Sequence, residues 1–461
     1  MSRRTRRAIS KAALSNPVIR QDACGIDIGA TEIYVSVAPD RDEEPVRCFA
    51  TFTSDLEALA DWLKACHVKS VAMESTGVYW IPLFQILESR GFEVLLVNAH
   101  HLKSVPGRKS DVCDCQWIQY CHAVGLLNGS FRPPQEVCAL RSIVRHRDDL
   151  VKSAAEQIQK MQKALTQMNL QIHHVLSDIS GKSGLAIIDA ILKGERDAKT
   201  LARLRDGRVK ACEEVVTKSL VGDYRPEHIF TLDQCRQIYR HYHVMIKQCD
   251  AQIAQMLAQI ESTQPLPSAV VGERPKPTIR KEKPRKNEIA LPEGSLSEQM
   301  YRIFRTDLTR IPGLASTTVH RLFTELGADL AAFRTAAHFV SWLGLCPDNR
   351  VSGGKVLSVK TRDIKNRVAD MFRVAAQSLH GSDSYLGQFY RRMRARLGGP
   401  KAVTATAHKL ARIFYHLVTT QAVFDESVYA DVQRRYEAKQ RQSLIKKAAQ
   451  FGCVLTPIAN N

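Results

Sequence analysis

The chain has 461 residues, which is too long for one hydrophobic core, since single cores stop growing at about 250–300 residues. Apolar residues make up 44% of the chain and charged residues 25%, which is ordinary for a globular protein and excludes a wholly disordered one. The formal net charge of +19 favours a polyanionic partner such as DNA or RNA.

The N-terminal 21 residues form a basic extension that lacks the apolar core of a secretory signal. No apolar run reaches the roughly 20 residues that span a bilayer, so we expect no membrane association. The 12 cysteines are scattered, and we expect reduced cytosolic thiols. A zinc site at Cys113, Cys115, Cys121 and His122 is an alternative, but a second ligand pair with zinc-finger spacing is missing.

Residues 22–130 alternate between short apolar strands and helical segments. Three strands come first, followed by a helix from about Asp55, a strand, a second helix and another strand. Ser54 and Glu57 have the spacing of a capping box at the start of the first helix. Three strands, a crossover helix and further parallel strands predict an α/β domain of the RNase H-like kind.

Four acidic residues fall where an RNase H-like fold gathers metal-binding carboxylates. Asp27 lies at the end of the first strand and Glu74 follows the apolar residues of another strand. Asp111 and Asp114 are spaced to share one face at the start of a helix. Carboxylates bring hard cations to a phosphodiester, so the pattern predicts a nuclease-type site for Mg²⁺ or Mn²⁺.

Each acidic residue also has a simpler interpretation. Asp111 alone is typical of a helix N-cap, Glu74 of a strand-end turn, and Asp27 of a phosphate-binding loop. The segment GIDIGATEI also resembles the first phosphate loop of sugar kinases and actin-like ATPases. No second Asp-x-Gly-x-Thr loop follows, and the basic charge does not suit a metabolic kinase.

The sequence pattern predicts mainly helices in the remainder of the chain. Residues 131–262 contain long polar helices, and a heptad-like stripe predicts either a coiled-coil hairpin that could act as a dimerisation arm or a packed helical bundle. Residues 263–296 are a Pro-rich basic linker, residues 297–428 return to helical patterns, and residues 429–461 form a basic tail. The stripe comprises Ile238, Tyr242, Ile246, Ile253 and Met256.

Several ordered motifs resemble one family, the DEDD insertion-sequence transposases, relatives of Piv-type invertases that are described as bridge-RNA-guided recombinases. They include PGRKSDVCDCQWIQ and LLNGSFRPPQEVCALRSIVRHRDDLV in the first half, and IPGLASTTV, FVSWLGLCPDNRVSGGK and SYLGQFYRRMRARLGGPKAVTATAHKLARIFYHLV in the second. The resemblance implies a RuvC-like domain, a coiled-coil arm and a mainly helical C-terminal transposase domain. It places the four family carboxylates at Asp27, Glu74, Asp111 and Asp114.

The same resemblance implies a catalytic serine in the SGGK motif, at Ser352. From the residues alone, Ser352 is an ordinary loop serine. The implied step is attack of its hydroxyl on a DNA phosphodiester, with the carboxylates and their metal assisting. Gly353 and Gly354 would let a phosphate approach the backbone. After SGGK, family members commonly have Gly-Asn-Arg, whereas this chain has Lys365, Asn366 and Arg367.

The partners implied by the resemblance are donor and target DNA, a noncoding guide RNA and further copies of the chain in a dimer or tetramer. We expect a bacterial cytoplasmic protein that associates with the nucleoid when bound to DNA. The alternatives are a RuvC-like nuclease that hydrolyses branched DNA and a non-catalytic nucleic-acid-binding scaffold. The basic residues predicted to contact nucleic acid are Arg350, Lys355, Arg367, Arg391, Arg392, Arg394, Lys401 and Lys409.

Overall fold

The structure is a computed structural model, and it divides into two compact units, Met1–Arg132 and Pro133–Asn461. It describes residues 17–75, 77–98, 114–260, 287–292, 294–454 and 456. Asp111, Cys113 and most of the predicted linker lie outside the described residues. No helix in the described part of the chain has the length and apolar character needed to cross a membrane.

The first unit is built on a five-stranded sheet with the strand order β3-β2-β1-β4-β5. Strands β1, β2 and β3 are antiparallel, whereas β4 runs parallel to both β1 and β5. The strands β1 to β5 span Ala23–Ile28, Glu32–Ser36, Val46–Ala50, Ser70–Glu74 and Glu93–Val97. The helices α1, α2 and α3 span Thr53–Ala65, Trp80–Ser89 and Asp114–Ala123.

The sheet has a helical layer on each face because its strands alternate in side-chain direction. Ile26 and Met73 belong to the core shared with α1 and α2. Ala72 and Val97 point to the opposite face, where they pack with Trp117 and other residues of α3. The prediction of an α/β N-terminal region followed by a mainly helical region is confirmed.

The predicted capping box at the start of α1 is wrong. The helix begins at Thr53, its N-cap is Phe52, and no side chain caps it. Glu57 instead forms an ion pair with Arg90, which also pairs with Asp61. The carboxylate that the local spacing predicts at the helix cap is therefore paired with an arginine that is distant in sequence.

The second unit begins with two long helices, α4 (Gln135–Gln167) and α9 (Pro226–Gln259). They share a core with the short helices that connect them, α5 (Ile172–Val175), α6 (Lys182–Leu192), α7 (Ala198–Ala202) and α8 (Glu213–Ser219). Ile246 and Ile253 of the predicted stripe are buried, but Ile238 is 41% exposed. The buried position next to it belongs to Tyr239, so the apolar face of α9 does not follow the predicted stripe throughout.

A buried ion pair ties the two long helices together. The Arg147 Nε donates to Asp250 Oδ1 at 2.5 Å. Its Nη2 donates to the carbonyl oxygens of Asn287 and Glu288 at 3.1 and 3.2 Å. Removing either partner would leave a buried charge without its counter-charge, which is strongly destabilising. The pair therefore stabilises the packing of α4 against α9 and against the residues that follow α9 in the described chain.

The rest of the second unit is helical apart from one hairpin. An aromatic core that includes Phe304, Phe323, Phe339, Phe372 and Phe414 holds these helices together. The helices are α10 (Leu296–Phe304), α11 (Ser316–Leu326), α12 (Ala336–Trp342), α13 (Arg367–Ser378), α14 (Tyr385–Leu397), α15 (Gly399–Thr420) and α16 (Ala430–Gln450). The hairpin strands are β6 (Arg350–Ser352) and β7 (Lys355–Ser358), and 3₁₀ turns span Leu308–Arg310, Leu379–Gly381 and Ser427–Tyr429.

Candidate functional site

Asp27 and Glu74 lie side by side at one end of the sheet. Strands β1 and β4 are parallel neighbours in which Ile26 pairs with Met73, so the next residue of each strand is Asp27 and Glu74 respectively. Both follow a residue that faces α1 and α2, so strand alternation directs both side chains toward the α3 face. Each is half-buried. The sheet therefore holds two carboxylates together on one face.

Helix α3 brings Asp114 toward the same end of the sheet. The Gln119 Nε2 donates to the Ala23 carbonyl at 3.4 Å, and the backbone of Cys115 lies against Gly25 further along β1. The helix therefore runs antiparallel to β1, and Asp114, in its first turn, lies toward Asp27. Negative charge is favourable at that end of a helix, and Asp114 is exposed there.

The close approach of α3 depends on Gly25. A Cβ atom at this position would lie 2.2 Å from the Gln119 amide nitrogen and 2.3 Å from the Cys115 carbonyl oxygen. Gly25 is not among the site residues predicted from the sequence, although an isolated glycine inside a strand is a signal for a close backbone approach. Gly25 acts on the site by allowing the helix that carries Asp114 to pack directly on β1.

The chemistry of the acidic set suits a hard divalent cation, because carboxylate oxygens are its usual ligands. Asp111 lies outside the described residues, and within the described ranges no group of three histidine, cysteine or acidic residues is arranged to hold a metal. Of the predicted carboxylates, Asp27 and Glu74 lie side by side at one end of the sheet, and Asp114 lies in the first turn of the helix that packs on that face.

Two of the residues proposed for an alternative zinc site, Cys121 and His122, are buried inside the first unit. His122 is buried, and its Nε2 lies 2.8 Å from the Ser70 hydroxyl. Desolvation by burial lowers the pKa of His122 to about 4, which keeps the imidazole neutral. Burial also raises the pKa of Cys121 to about 12, which opposes the thiolate form that zinc needs.

Ser352 lies at the tip of the hairpin formed by β6 and β7. It pairs with Lys355 across a two-residue turn, and both residues are exposed. The turn residues Gly353 and Gly354 have φ angles of +55° and +77°, and positive φ at both positions is the requirement of a type I′ hairpin. An isolated bridge between Pro347 and Thr361 continues the ribbon below the strands.

Arg367, a predicted phosphate contact, is exposed at the start of α13. The Asn366 side chain caps this helix by accepting hydrogen bonds from the amides of Val368 and Ala369, at 2.9 and 3.2 Å. Lys365 stands where the family resemblance implies glycine, and its backbone is not in the left-handed region. The lysine therefore fits this turn without the strain that a missing glycine can cause.

Three of the predicted basic contacts are engaged within the second unit. Arg391 donates to the carbonyls of His380 and Ser382. The Arg392 guanidinium lies 4.3 Å from the Tyr436 ring centroid. The Lys409 Nζ donates to the Tyr385 hydroxyl at 2.5 Å and lies among three aromatic rings. The geometry gives these cations structural contacts that the sequence did not reveal.

Arg394 and Lys401 differ from those three. Both are exposed, and neither side chain has a hydrogen bond or ion pair with another residue in the described part of the chain. Their side chains are available to an anion in solvent. Of the predicted basic contacts on α14 and α15, these two are the best placed to meet a phosphate.

Comparison with known proteins adds two family matches and a curated relative. Residues 24–170 match a family model for DEDD transposases of the IS110 type, described as Transposase, and residues 305–391 match the Transposase IS116/IS110/IS902 family. A candidate transposase of Sinorhizobium fredii is 30% identical over 150 residues, which are 29% of this chain and 37% of that protein. The matched part of the chain thus spans little more than a third of that relative's length.

Proposed function

We propose, on the premise that the two matches support an IS110-family transposase, that this protein cleaves and joins DNA at the ends of an insertion sequence. The first matched segment, residues 24–170, covers most of the first compact unit and the beginning of the second, and the other segment, residues 305–391, lies within the second unit. The two matches follow the order that the sequence motifs predict. The observation that carries the proposal is the shared position of Asp27 and Glu74 at the ends of adjacent parallel strands, with Asp114 carried toward them by α3.

The first unit would act as an RNase H-like domain of the RuvC type. Its strand order of β3-β2-β1-β4-β5, with three antiparallel strands followed by two parallel ones, supports this proposal. The carboxyl ends of β1 and β4 then form the place where the substrate phosphate meets the acidic side chains.

Asp27, Glu74 and Asp114, together with Asp111, would hold a divalent cation, Mg²⁺ or Mn²⁺. When bound, such an ion offsets negative charge on the attacking and leaving oxygens of a phosphodiester. The chain's own contribution is to fix the carboxylates on a rigid sheet, so that little reorganisation is needed when the substrate arrives.

The Ser352 hydroxyl would be the nucleophile. Its oxygen forms a bond to phosphorus as the bond from phosphorus to one deoxyribose oxygen breaks, the hydroxyl proton passes to a base, and the released oxygen gains a proton. The exposed turn at Gly353 and Gly354 leaves room for the phosphate, and Lys355 places a positive charge across from Ser352. The phosphoserine link would preserve the bond for rejoining.

The partners follow from the same proposal. Donor and target DNA would be the substrates, a noncoding RNA would guide the choice of sites, and a dimer or tetramer of this chain would bring the carboxylates and Ser352 together. The net charge of +19 supports a polyanionic partner. A competing function is hydrolysis of branched DNA by the carboxylates alone, because the first unit also suits a RuvC-like nuclease.

The test is a recombination assay with the full-length protein, the DNA of the element with its flanks, RNA transcribed from that DNA, and Mg²⁺. The variants Asp27→Asn, Glu74→Gln and Asp114→Asn should each lower joined product by at least about a hundredfold, because each removes a negatively charged metal ligand. Asp40→Asn and Glu43→Gln, at exposed positions between β2 and β3, are matched controls and should keep activity.

The products of the assay distinguish transposition from hydrolysis. Joined DNA supports transposition, whereas cut DNA with free ends and no joined product supports hydrolysis. If the three carboxylate variants rearrange DNA as well as the controls do, the carboxylates take no part in catalysis and the proposed site is wrong. If the unchanged protein binds the DNA but neither cuts nor joins it, the protein is a scaffold rather than the enzyme proposed here.

A further inference from the structure

Helix α16 has no buried side chain along its whole length. It spans Ala430–Gln450, 21 residues, and every position is exposed or half-exposed. Packing of one face usually supplies most of a helix's stability in a protein, and α16 has no buried face. A solvent-exposed helix of 21 residues therefore has a surface that is suited to a partner.

The helix is attached to the second unit near its start. Gln433 donates to the Gln388 side chain, and Tyr436 receives the Arg392 guanidinium at 4.3 Å from its ring centroid. Just before the helix, the rings of Tyr429 and Tyr385 stack at 4.3 Å with an interplanar angle of 2°. Beyond Glu437, no hydrogen bond or ion pair joins α16 to another element in the described residues. The first turns of α16 are therefore anchored to the second unit, and the remainder of the helix, residues 438–450, is exposed or half-exposed.

Helix α16 is strongly basic along its whole length. Its acidic residues are Asp431 and Glu437, and Asp431 is already paired with Arg434. Its cations are Arg434, Arg435, Lys439, Arg441, Lys446 and Lys447. At roughly 100° of rotation per residue, Arg435, Lys439 and Lys446 fall within one narrow stripe. At a rise of 1.5 Å per residue this stripe is about 16 Å long, which is long enough to meet several phosphates of one duplex.

The apolar residues of α16 do not form a stripe. Val432, Leu444 and Ile445 are about half-exposed, and the helical repeat points them in three different directions. A helix that packs against a second protein helix needs apolar residues along one side. The charge distribution, and not apolar area, is therefore the recognisable feature of this surface.

We propose that the stripe of Arg435, Lys439 and Lys446 on α16 binds the phosphate backbone of double-stranded DNA without reading its sequence. The choice of DNA among polyanions rests on the proposed function. The contact itself rests on an exposed, anchored helix whose cations share one side. Arginine and lysine bind backbone phosphates in this way because they release the counterions condensed on the duplex.

The test measures the affinity of the full-length protein for a short DNA duplex of random sequence, by fluorescence anisotropy over a range of salt concentrations. The variant Arg435→Gln, Lys439→Gln, Lys446→Gln keeps good helix formers in the helix. Its plot of log affinity against log salt should be shallower by about 2 to 3, because each phosphate contact contributes about 0.9 to the slope. Circular dichroism checks that helix content is retained.

A matched control makes the same change in net charge elsewhere. Lys182→Gln, Arg208→Gln, Arg225→Gln removes three exposed cations that already have acidic neighbours on the short helices and loops between α4 and α9. We expect its salt slope to equal that of the unchanged protein. An α16 variant with the control's slope would overturn the proposal. So would a loss confined to RNA binding, or a loss of self-association with DNA binding unchanged.

The outcome is separable from the proposed function. Asp27→Asn should leave the salt slope for random duplex unchanged, since it removes no cation. If the α16 variant shifts the slope but the protein joins no DNA, the DNA-binding inference stands and the transposase mechanism fails. If joining occurs and the α16 variant does not change the salt slope, the transposase mechanism stands and the DNA-binding inference fails.

Discussion

The end of the sheet and the tip of the hairpin carry the two halves of the proposed chemistry, and they are built differently. Asp27 and Glu74 extend from strands whose preceding residues are fully buried between two helical layers. Ser352 lies on a ribbon in which Val351, Val356 and Leu357 are 58%, 63% and 69% exposed. The carboxylates are held by the fold itself, whereas the serine stands on an exposed element that is suited to being completed by DNA or another copy of the chain.

The largest effect expected from this comparison is at Gly25. Gly25→Ala forces a Cβ atom onto the backbone of α3, which cannot move aside without displacing Asp114. We expect the free energy of unfolding of the first unit to fall by about 3 kcal/mol, with loss of joining activity. Urea denaturation followed by tryptophan fluorescence measures the change.

Gly207→Ala is the matched control, because nothing lies within 4 Å of a Cβ atom at Gly207 and its φ is not positive. It should leave stability almost unchanged. If Gly25→Ala is equally harmless, then α3 is not held tightly on β1 and the described sheet end is not rigid.

A smaller effect is expected from acid on the first unit. Burial lowers the pKa of His122 to about 4, whereas an unfolded histidine has a pKa near 6.5. The unfolded state therefore takes up a proton between these values that the folded state refuses. Stability is full above pH 6.5 and falls as pH drops toward 4, by about 2 kcal/mol at pH 5 from this residue.

His122→Gln should flatten this dependence, even if it lowers stability at every pH. The measurement is the unfolding free energy at pH 7 and pH 5 for both proteins. An equally steep fall with acid in His122→Gln would remove His122 as the cause. The hairpin itself contains no histidine, so the comparison predicts no matching acid sensitivity there.

The smallest effect is expected at the hairpin. Gly354→Ala places a side chain at a φ of +77°, which costs about 1 kcal/mol in the left-handed region. Because the ribbon is exposed, we expect global stability to stay the same while the rate of joining falls about fivefold. Gly354→Asn is the control, since asparagine tolerates this backbone better. A stability loss as large as that of Gly25→Ala would mean that the hairpin is part of the core.

The sequence was most informative where periodic patterns decide the structure. Strand alternation and strand order were enough to predict the sheet and to place Asp27 and Glu74 at strand ends. The closeness of α3 depends on a backbone contact between Gly25 and Cys115. A glycine inside a strand signals a close approach, but the sequence does not show which element approaches. The Glu57 carboxylate was assigned to a cap because Arg90 is distant in sequence.

The contacts of the second unit were also difficult to predict, because they join residues that are distant in sequence. Arg392 and Lys409 read as phosphate contacts because their charge is visible in the sequence, but the rings that surround them come from α14, α16 and the turn before α16. Ser352 is the clearest limit: two glycines predict a turn, yet nothing in the residues alone separates this serine from other loop serines. Its proposed role comes from the resemblance.

The most direct test of the account is to trap the covalent link between Ser352 and DNA. The full-length protein is incubated with labelled element DNA, RNA from its flank and Mg²⁺, quenched in denaturant, and resolved by gel and by peptide mass spectrometry. We expect a denaturation-resistant adduct on the peptide that contains Ser352, lost in Ser352→Ala and retained in Ser358→Ala, a control on the same ribbon. Cleavage without an adduct, at equal yield in Ser352→Ala, would contradict the account.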